Sequence, residues 1–225
     1  MTAFPRLSEL ANYLGEWMPQ LGTAAGNTLR MAVLAFILAV SLGLVLALAR
    51  LSSHRLLARF AAVYVDLVRG APLLALLFLV YFGLPSVGIV LPAFIAAVVG
   101  LGLNGGAYVS EIFRAAIAAI ERGQGEAAQS IGMTYPQVLR FIVLPQASRI
   151  ALPPLGNYAI GLLKDTSVAS LIGAPELTLR ARDLSSEYFM PMEIYLVSGA
   201  LYFAMAAPLA YAVRRLERHF GQSGR

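Results

Sequence analysis

The sequence contains no cysteine, one tryptophan and one lysine, and charged residues make up only 13% of its 225 positions. Without cysteine, disulfide bonds and thiolate metal sites are both excluded. The charged fraction is about half that of an ordinary soluble domain, whereas hydrophobic residues reach 59%. A soluble chain of this length could not bury so much apolar surface, so the composition predicts an all-α polytopic protein of the lipid bilayer.

The scarcity of lysine and histidine argues against several catalytic sites. A phosphate-binding loop needs a glycine-rich turn followed by Lys and then Ser or Thr, but Lys164 precedes Asp165 inside an apolar run. The two histidines, His54 and His219, each lie beside an arginine, which argues against a metal site. No set of nucleophile, base and orienting group is evident. We therefore predict that the chain is not an enzyme and has no cofactor or metal of its own.

Apolar runs divide the chain into about five transmembrane helices, since a bilayer core needs about 20 mostly apolar residues per helix. The runs are 31–49, 71–82 (lengthened backwards through 61–70), 92–112, 150–172 and 194–213. They form one predicted transmembrane domain, 26–215. An extracytoplasmic or interfacial segment, 1–25, precedes it, and a cytoplasmic tail, 216–225, follows it.

Arginine supplies almost all of the positive charge, and its distribution predicts an orientation. Three, four and four arginines follow the first, third and fifth runs, eleven in all, whereas only four lie on the opposite side. Because cytoplasmic connections carry the excess of positive charge, the N-terminus is predicted outside and the C-terminus inside. The net charge of +5 is then explained by cytoplasmic loops and anionic lipid headgroups, without a nucleic acid partner.

The connection between the third and fourth runs is long and structured. It includes residues 125–147, GEAAQSIGMTYPQVLRFIVLPQA. Gly132 can adopt the left-handed conformation that ends a helix, and Thr134 with Gln137 fits a capping box that begins another. This second helix is predicted to stop at Pro145. The arrangement indicates a cytoplasmic docking element; the alternative is an amphipathic loop lying on the lipid surface.

Several segments resemble one family of membrane subunits. Glu126-Ala127-Ala128, Gly132 and the IVLP segment at 142–145 are similar to the EAA motif of ATP-binding-cassette (ABC) importers. The other matching segments are YVDLVRGAPLL from Tyr64, YFGLP from Tyr81, LNGGAYVSEIFRAAI from Leu103, RGQGEAA from Arg122, LPQASRIALPPLGNYAIGLLKDTSVASLIGAPEL from Leu144 and RRLER from Arg214. Together they resemble the polar amino acid permeases, which include histidine, glutamine and arginine importers, over residues 22–218.

The resemblance implies a function, a location and a set of partners. In that family two permease subunits, identical or paralogous, form the translocation path in the bacterial cytoplasmic (inner) membrane. Two cytoplasmic ATPase subunits bind ATP and magnesium, and an extracytoplasmic binding protein delivers the amino acid. Transferred to this sequence, Glu126, Ala127, Ala128 and Gly132 are the coupling residues that meet the ATPase.

Ionisable residues inside an apolar run suggest a functional site. Asp165, with Thr166 beside it, is a candidate to bind the substrate's amino group in a pocket near the middle of the membrane. The alternative is structural: Lys164 pairs with Asp165, with Glu111 or with carbonyl groups of a broken helix. We assign Lys164 and Glu111 to structural pairing and Asp165 to the pocket.

Asn104 and the adjacent Gly105 and Gly106 form a second candidate, because two glycines in a helix interior cost about 2 kcal/mol relative to alanine. Either another helix packs closely against them, or their backbone faces a cavity. In the second case Asn104 is the side chain expected to touch the ligand, and Tyr108, one turn later, shares its face.

Two positions depart from the pattern of the polar amino acid permeases. Ala71 stands where threonine is usual and Leu76 where glutamine is frequent, so the amino acid carried stays open. A permease for methionine, taurine or another small solute is the nearest alternative, since such importers share the EAA loop. A self-contained secondary transporter commonly has ten or more spans with internal repeats, and the sequence has neither. A non-transporting scaffold would not need the docking loop.

Overall fold

The computed structural model is all-helical over the residues it describes, which are the backbone of residues 7–221 and, apart from Arg122, the side chains of residues 13–218. Nine α-helices follow one another in this part of the chain. They are α1 (Leu7–Arg50), α2 (Arg55–Gly70), α3 (Leu73–Phe78), α4 (Ala93–Ala118), α5 (Arg122–Ser130), α6 (Tyr135–Val138), α7 (Leu144–Asp165), α8 (Leu177–Tyr188) and α9 (Pro191–Gly221). The predicted all-α class is confirmed.

Four shorter helical pieces interrupt or extend these helices. A π-helical turn and a 3-10 turn follow α3, a second π-helical turn joins α6 to α7, and a 3-10 segment follows α7. Their bounds are Leu79–Gly83, Leu84–Val87, Leu139–Val143 and Thr166–Ile172. Such irregular turns inside helices are often found at functional sites.

The centre of the fold is the contact between α1 and α4, where glycines allow a close approach. A methyl group added at Gly106 would lie only 2.6 Å from a methyl carbon of Leu42, and Leu38 fills the corresponding space at Gly102. Because Leu38 opposes Gly102 and Leu42 opposes Gly106, the two helices run in the same direction. Of the two alternatives for the glycines, close helix packing therefore accounts for Gly106.

The second apolar run is not one straight helix. α2 and α3 meet at an angle of 109°, with Ala71 in an extended conformation and Pro72 at the N-cap of α3. Proline disfavours the helical conformation in the residue that precedes it. Residues 61–70 therefore precede the run as a separate helix with a sharp bend after it, and the prediction that they lengthen the run into one span stays a prediction.

Within the described residues, three helical segments are long and apolar enough to cross a membrane, namely Tyr13–Arg50, Ala93–Ala118 and Pro191–Arg218. The bent pair of α2 and α3 raises the number to four when it counts as one span. α7 does not reach the same hydropathy, because its two internal prolines and its polar side chains lower the average. The count of about five spans therefore stays a prediction.

α1 is longer than a bilayer is thick. Its 44 residues extend about 66 Å at 1.5 Å per residue, against a hydrocarbon core of about 30 Å. Part of this helix must therefore project beyond the hydrocarbon region. The boundary predicted between segments 1–25 and 26–215 falls inside α1, and α9 continues past residue 216 to Gly221. Residues 1–6 and 222–225 of the terminal segments lie outside the described residues.

A buried carboxylate connects α8 to its neighbours. Glu176 is 1% exposed, and its two carboxylate oxygens accept backbone N–H groups from the first turn of α8 at 2.6 and 2.8 Å. The Tyr202 hydroxyl of α9 donates to the same carboxylate at 2.8 Å, and the Thr28 hydroxyl of α1 accepts the N–H of Leu177 at 3.0 Å. The hydrogen bonds satisfy these buried groups and hold α1, α8 and α9 together.

The close packing of α1 on α4 predicts opposite results for two Gly→Ala changes. Gly106→Ala should lower the melting temperature of the purified protein, because forcing a methyl group into a filled core costs about 1–3 kcal/mol. Gly199→Ala in α9 meets no atom within 4 Å and should leave the melting temperature equal or higher, since alanine favours the helix by about 1 kcal/mol. Equal melting temperatures for the two variants would contradict the packing.

Candidate functional site

A cavity of about 340 Å³ lies where α4 passes the bend between α2 and α3 and the end of α7. Its lining residues are Ala71, Leu73, Asn104, Tyr108, Tyr158 and Asp165. The structure thus brings together Asn104, Tyr108 and Asp165, three of the four residues predicted for a substrate pocket. An amide and a carboxylate at one cavity can bind a carboxylate and an ammonium group, respectively. The volume is within the range of small-molecule sites.

Thr166, the fourth residue predicted for the pocket, does not line this cavity. It is fully buried, and its hydroxyl donates to the Leu163 carbonyl at 2.7 Å, at the end of α7. Neighbouring residues of a helix point about 100° apart, so Thr166 cannot share the face of Asp165. Its position supports a structural role at the end of the helix.

Tyr158 lines the cavity and was not among the predicted site residues. Its ring stacks on that of Tyr108 with centroids 6.4 Å apart and an angle of 18° between the planes. A side chain at Gly105 would collide with the Tyr158 hydroxyl, so this glycine makes room for the tyrosine. Tyr158 precedes Asp165 by seven residues, two turns along one face of a helix, and that spacing could have identified it.

Glu111 pairs with arginines rather than with Lys164. One carboxylate oxygen accepts from Arg50 and the other from Arg114 at 2.7 Å, while Arg69 lies 3.9 Å away. Lys164 and Asp165 are exposed and form no ion pair within 4.0 Å among the described side chains. Of the pairings considered for Lys164, neither the one with Asp165 nor the one with Glu111 is present among the described side chains.

The antiparallel course of α4 and α7 explains why Lys164 and Glu111 stay apart. Tyr158 of α7 packs on Gly105 of α4, and the end of α7 near Leu162 packs in the same cluster as Leu101. Lys164 therefore lies beside the first half of α4. Glu111 is ten residues beyond Leu101 on that helix, about 15 Å at 1.5 Å per residue, and so lies beyond the reach of Lys164.

The connection between α4 and α7 contains the glycine turn expected from its sequence. Gly132 has a φ of +89°. Its N–H donates to the Gln129 carbonyl at 2.9 Å, and the N–H of Met133 donates to the Ala128 carbonyl at 3.1 Å. These two bonds form a Schellman motif, which ends α5. The predicted left-handed conformation of Gly132 is confirmed.

The capping box that begins the next helix is also present. Both the backbone N–H and the hydroxyl of Thr134 donate to the Gln137 side-chain oxygen, at 2.7 and 3.0 Å. The helix does not stop at Pro145, however, but continues through the π-helical turn Leu139–Val143 into α7. Proline is tolerated there because it lies in the first turn of α7, after the π-helical turn has already interrupted the regular hydrogen bonds.

Comparison with known proteins identifies the family. Residues 17–223 match the family described as "Binding-protein-dependent transport system inner membrane component". The chain belongs to this family. It is therefore an integral membrane component of a transport system, and the secondary-transporter and scaffold alternatives are set aside.

Individual members of the family cover nearly the whole chain. The "Probable amino-acid ABC transporter permease protein YckA" of Bacillus subtilis (strain 168) is 39% identical over 205 residues, 91% of either chain. The "L-cystine transport system permease protein TcyB" of the same organism is 39% identical over 201 residues, 89% of this chain and 86% of that protein. A solved structure, "Crystal structure of an amino acid ABC transporter with histidines", has a TM-score of 0.87 and 37% identity, covering 92% of this chain and 97% of its own.

The residues of this family member that match the EAA motif do not all face outward. Glu126 and Ala127 are exposed on α5, and Gly132 is exposed at the turn, whereas Ala128 is only 5% exposed. Ala128 therefore packs inside its own loop instead of leaving room for a partner. Three large apolar side chains of the same connection are exposed. They are Ile131, Tyr135 and Phe141.

The Schellman motif of this inner membrane component predicts a specific effect of Gly132→Val. A β-branched residue in the left-handed conformation costs about 1–2 kcal/mol or more, so the loop should open more often. Trypsin should then cleave after Arg140 roughly tenfold faster, since a tenfold change in an equilibrium corresponds to about 1.4 kcal/mol.

Gly123→Val in the same loop is the matched control. Gly123 is exposed, has no atom within 4 Å of an added side-chain carbon, and does not have a positive φ. Cleavage at the same rate in both variants would show that the conformation of Gly132 does not hold the loop.

Proposed function

We propose that this chain is the permease subunit of an ABC importer and forms the path through which amino acids cross the membrane. Its family consists of inner membrane components of binding-protein-dependent transport systems, and its similar relatives are amino-acid permeases by name. The observation that carries the proposal is the cavity at which Asn104 and Asp165 meet between two interrupted helices. Transporters commonly place their substrate sites at such interruptions near the middle of the bilayer.

In the proposed pocket each polar group has a separate role. The Asp165 carboxylate binds the ammonium group of the amino acid, and the Asn104 amide binds its carboxylate. The remaining wall consists of two tyrosine rings and the apolar side chains of Ala71 and Leu73. Ala71 offers no hydroxyl, so the hydroxyl groups of these two tyrosines are the only further polar side-chain groups among the described residues of the wall. A panel of amino acids, including methionine, is therefore needed to identify the substrate.

The proposed topology has five spans: α1, the bent pair α2–α3, α4, α7 and α9. Support comes from the parallel course of α1 and α4, which requires one returning span between them, and from the eleven arginines assigned to one side. The N-terminus is then outside, and the connection formed by α5 and α6 is cytoplasmic. The cell membrane concerned is the bacterial cytoplasmic membrane.

The proposed coupling site is the exposed face of α5 and its turn. Glu126, Ala127 and Gly132 are accessible there, with Ile131 and Tyr135 as exposed apolar side chains beside them. A short helix with an apolar rim and one carboxylate suits a groove on a separate protein. We assign that groove to a cytoplasmic ATPase subunit, and Ala128 to the support of the helix from inside.

The proposed assembly has further partners. An ATPase dimer binds ATP and magnesium, a second permease copy or paralogue completes the pathway, and an extracytoplasmic binding protein delivers the amino acid. Hydrolysis is assigned to the ATPase because the only lysine of this chain, Lys164, is not in a phosphate-binding loop. This chain contributes the conduit, with no cofactor of its own.

Reconstitution tests this function. The chain is co-produced with the ATPase and binding protein encoded beside its gene, placed in vesicles, and assayed for uptake of radiolabelled L-amino acids with and without ATP. Uptake of at least one amino acid should require ATP and the binding protein. Asp165→Asn should lower this uptake about 10- to 100-fold, because a hydrogen bond to a charged group contributes about 1.5–3 kcal/mol.

Lys164→Met is the matched control for Asp165→Asn. Lys164 is adjacent and exposed but does not line the cavity, so this variant should keep its uptake within about twofold, the typical effect of an exposed substitution. If the complex with Asp165→Asn takes up amino acids at the normal rate, the assignment of Asp165 to the substrate pocket is wrong. If the Asp165→Asn variant instead expresses poorly, and adding Lys164→Met to the same chain restores its expression, Lys164 and Asp165 form a structural pair.

The proposed orientation predicts which surface positions an impermeant reagent can reach. The chain has no cysteine, so single cysteines introduced at Ser86, Ser186 or Gln129, all exposed positions, can be labelled individually. In intact cells a charged maleimide should label the first two from outside and should reach Gln129→Cys only after the membrane is opened. The reverse pattern would overturn the topology.

A further inference from the structure

A second cavity, of about 480 Å³, adjoins the pocket that contains Asp165 and Asn104. Tyr108 and Tyr158 line both cavities, so the stacked tyrosine pair separates them. The second cavity is lined on its polar side by Arg69 and Glu111. Along α4, Glu111 lies seven residues beyond Asn104, which corresponds to about 10 Å.

The charges around the second cavity do not balance. Three guanidinium groups, those of Arg50, Arg69 and Arg114, share the carboxylate of Glu111, which leaves a surplus of two positive charges. Two of the three arginine side chains, Arg69 at 43% and Arg114 at 45%, are exposed, so solvent or a bound anion can balance this surplus. The cavity is therefore suited to a negatively charged group.

Arg69 is the member of this cluster that is free to bind another group. Arg50 and Arg114 contact the two carboxylate oxygens directly, whereas the nearest nitrogen of Arg69 is 3.9 Å from Glu111. No other described carboxylate lies within 4.0 Å of Arg69. Its side chain is 43% exposed and lies 5.5 Å from the centre of the Tyr108 ring. Its guanidinium is thus held at the cavity wall with unused hydrogen-bond donors.

We propose that Arg69 forms a second binding station on the transport path, where its guanidinium binds the carboxylate of the amino acid after the substrate has left Asp165. This inference rests on the proposed function. The stacked rings of Tyr108 and Tyr158 line both cavities, so a substrate held at Asp165 has to pass them before its carboxylate meets Arg69. The two cavities are therefore occupied in succession.

The order of the stations follows from the proposed orientation. α4 runs towards the cytoplasm, so Glu111 and Arg69 lie on the cytoplasmic side of Asn104. A carboxylate leaving the Asn104 amide meets the guanidinium next, and an Arg–carboxylate pair can form two parallel hydrogen bonds. The Glu111 carboxylate, 3.9 Å from Arg69, competes with the substrate carboxylate for the same guanidinium and thus permits release.

The test compares Arg69→Gln with Arg114→Gln in reconstituted complexes. Both arginines contact Glu111, but only Arg69 lines the cavity. Arg69→Gln should lower the maximal rate of ATP-driven uptake roughly tenfold, the effect expected for losing one charged hydrogen bond, at an unchanged half-saturating concentration of binding protein. Arg114→Gln should keep the rate within about twofold. Arg69→Lys, which retains the charge, should recover part of the rate.

Chemical modification tests whether position 69 needs a positive charge or only a side chain of similar size. In an Arg69→Cys variant, a methanethiosulfonate reagent that attaches an ethylammonium group should restore uptake, whereas the reagent that attaches an ethylsulfonate should not. Because this chain has no cysteine, any effect of the reagents on uptake by the wild-type complex comes from cysteines of the partner subunits and serves as the control. Restoration by both reagents, or by neither, would overturn the requirement for a positive charge at this position.

Anionic lipid is the other source of a negatively charged group, and the vesicle composition distinguishes it. If Arg69 binds the substrate, the difference between wild type and Arg69→Gln persists in vesicles of phosphatidylcholine alone. If the difference in uptake between wild type and Arg69→Gln appears only in vesicles that contain phosphatidylglycerol, Arg69 binds lipid. The proposed second binding station for the substrate is then wrong. Equal losses in Arg69→Gln and Arg114→Gln would assign Arg69 to the ion cluster alone. Absence of any wild-type uptake would instead overturn the proposed function, and the station with it.

Discussion

The close contact between α1 and α4 is the constraint on which the rest of the structure depends. Gly102 and Gly106 accommodate Leu38 and Leu42, so that two long helices lie side by side in the same direction. This arrangement brings Arg50, at the end of α1, to Glu111 on α4. A single added methyl group at this contact would separate the helices and disturb the charge cluster beyond it.

The polar groups of the membrane region are concentrated where helices are interrupted. One interruption is the 109° bend before Pro72, and the other is the change from α7 to a 3-10 segment at Thr166. Irregular backbone is tolerated at membrane depth only beside protein or a cavity, and both interruptions border the same cavity. The packing of α1 on α4 supplies the rigid wall opposite them. A stiff core with interrupted helices beside it suits a path that must open and close.

α7 connects the two sites assigned to transport. It begins directly after the π-helical turn that follows the α5–α6 loop, and it carries Tyr158 and Asp165 to the cavity. Its 22 residues extend about 33 Å, roughly the thickness of the hydrocarbon core. In the proposed transport cycle, a movement imposed on the loop is therefore passed along one helix to the cavity wall. The π-helical turn is one place where this helix can bend, and its internal prolines, Pro153 and Pro154, are another.

Local chemistry made part of this protein predictable from its sequence. The left-handed Gly132 and the capping box of Thr134 and Gln137 depend on neighbours within a few residues, and the structure contains both. Three of the predicted apolar runs lie in helices long and apolar enough to cross a membrane. The pocket residues Asn104 and Asp165 were predictable as polar groups that lipid would reject. The arginine partners of Glu111, the inward position of Ala128 and the role of Tyr158 were decided by tertiary structure. Each of these depends on which helix faces which, and helix packing joins residues whose separation along the chain carries no local signal.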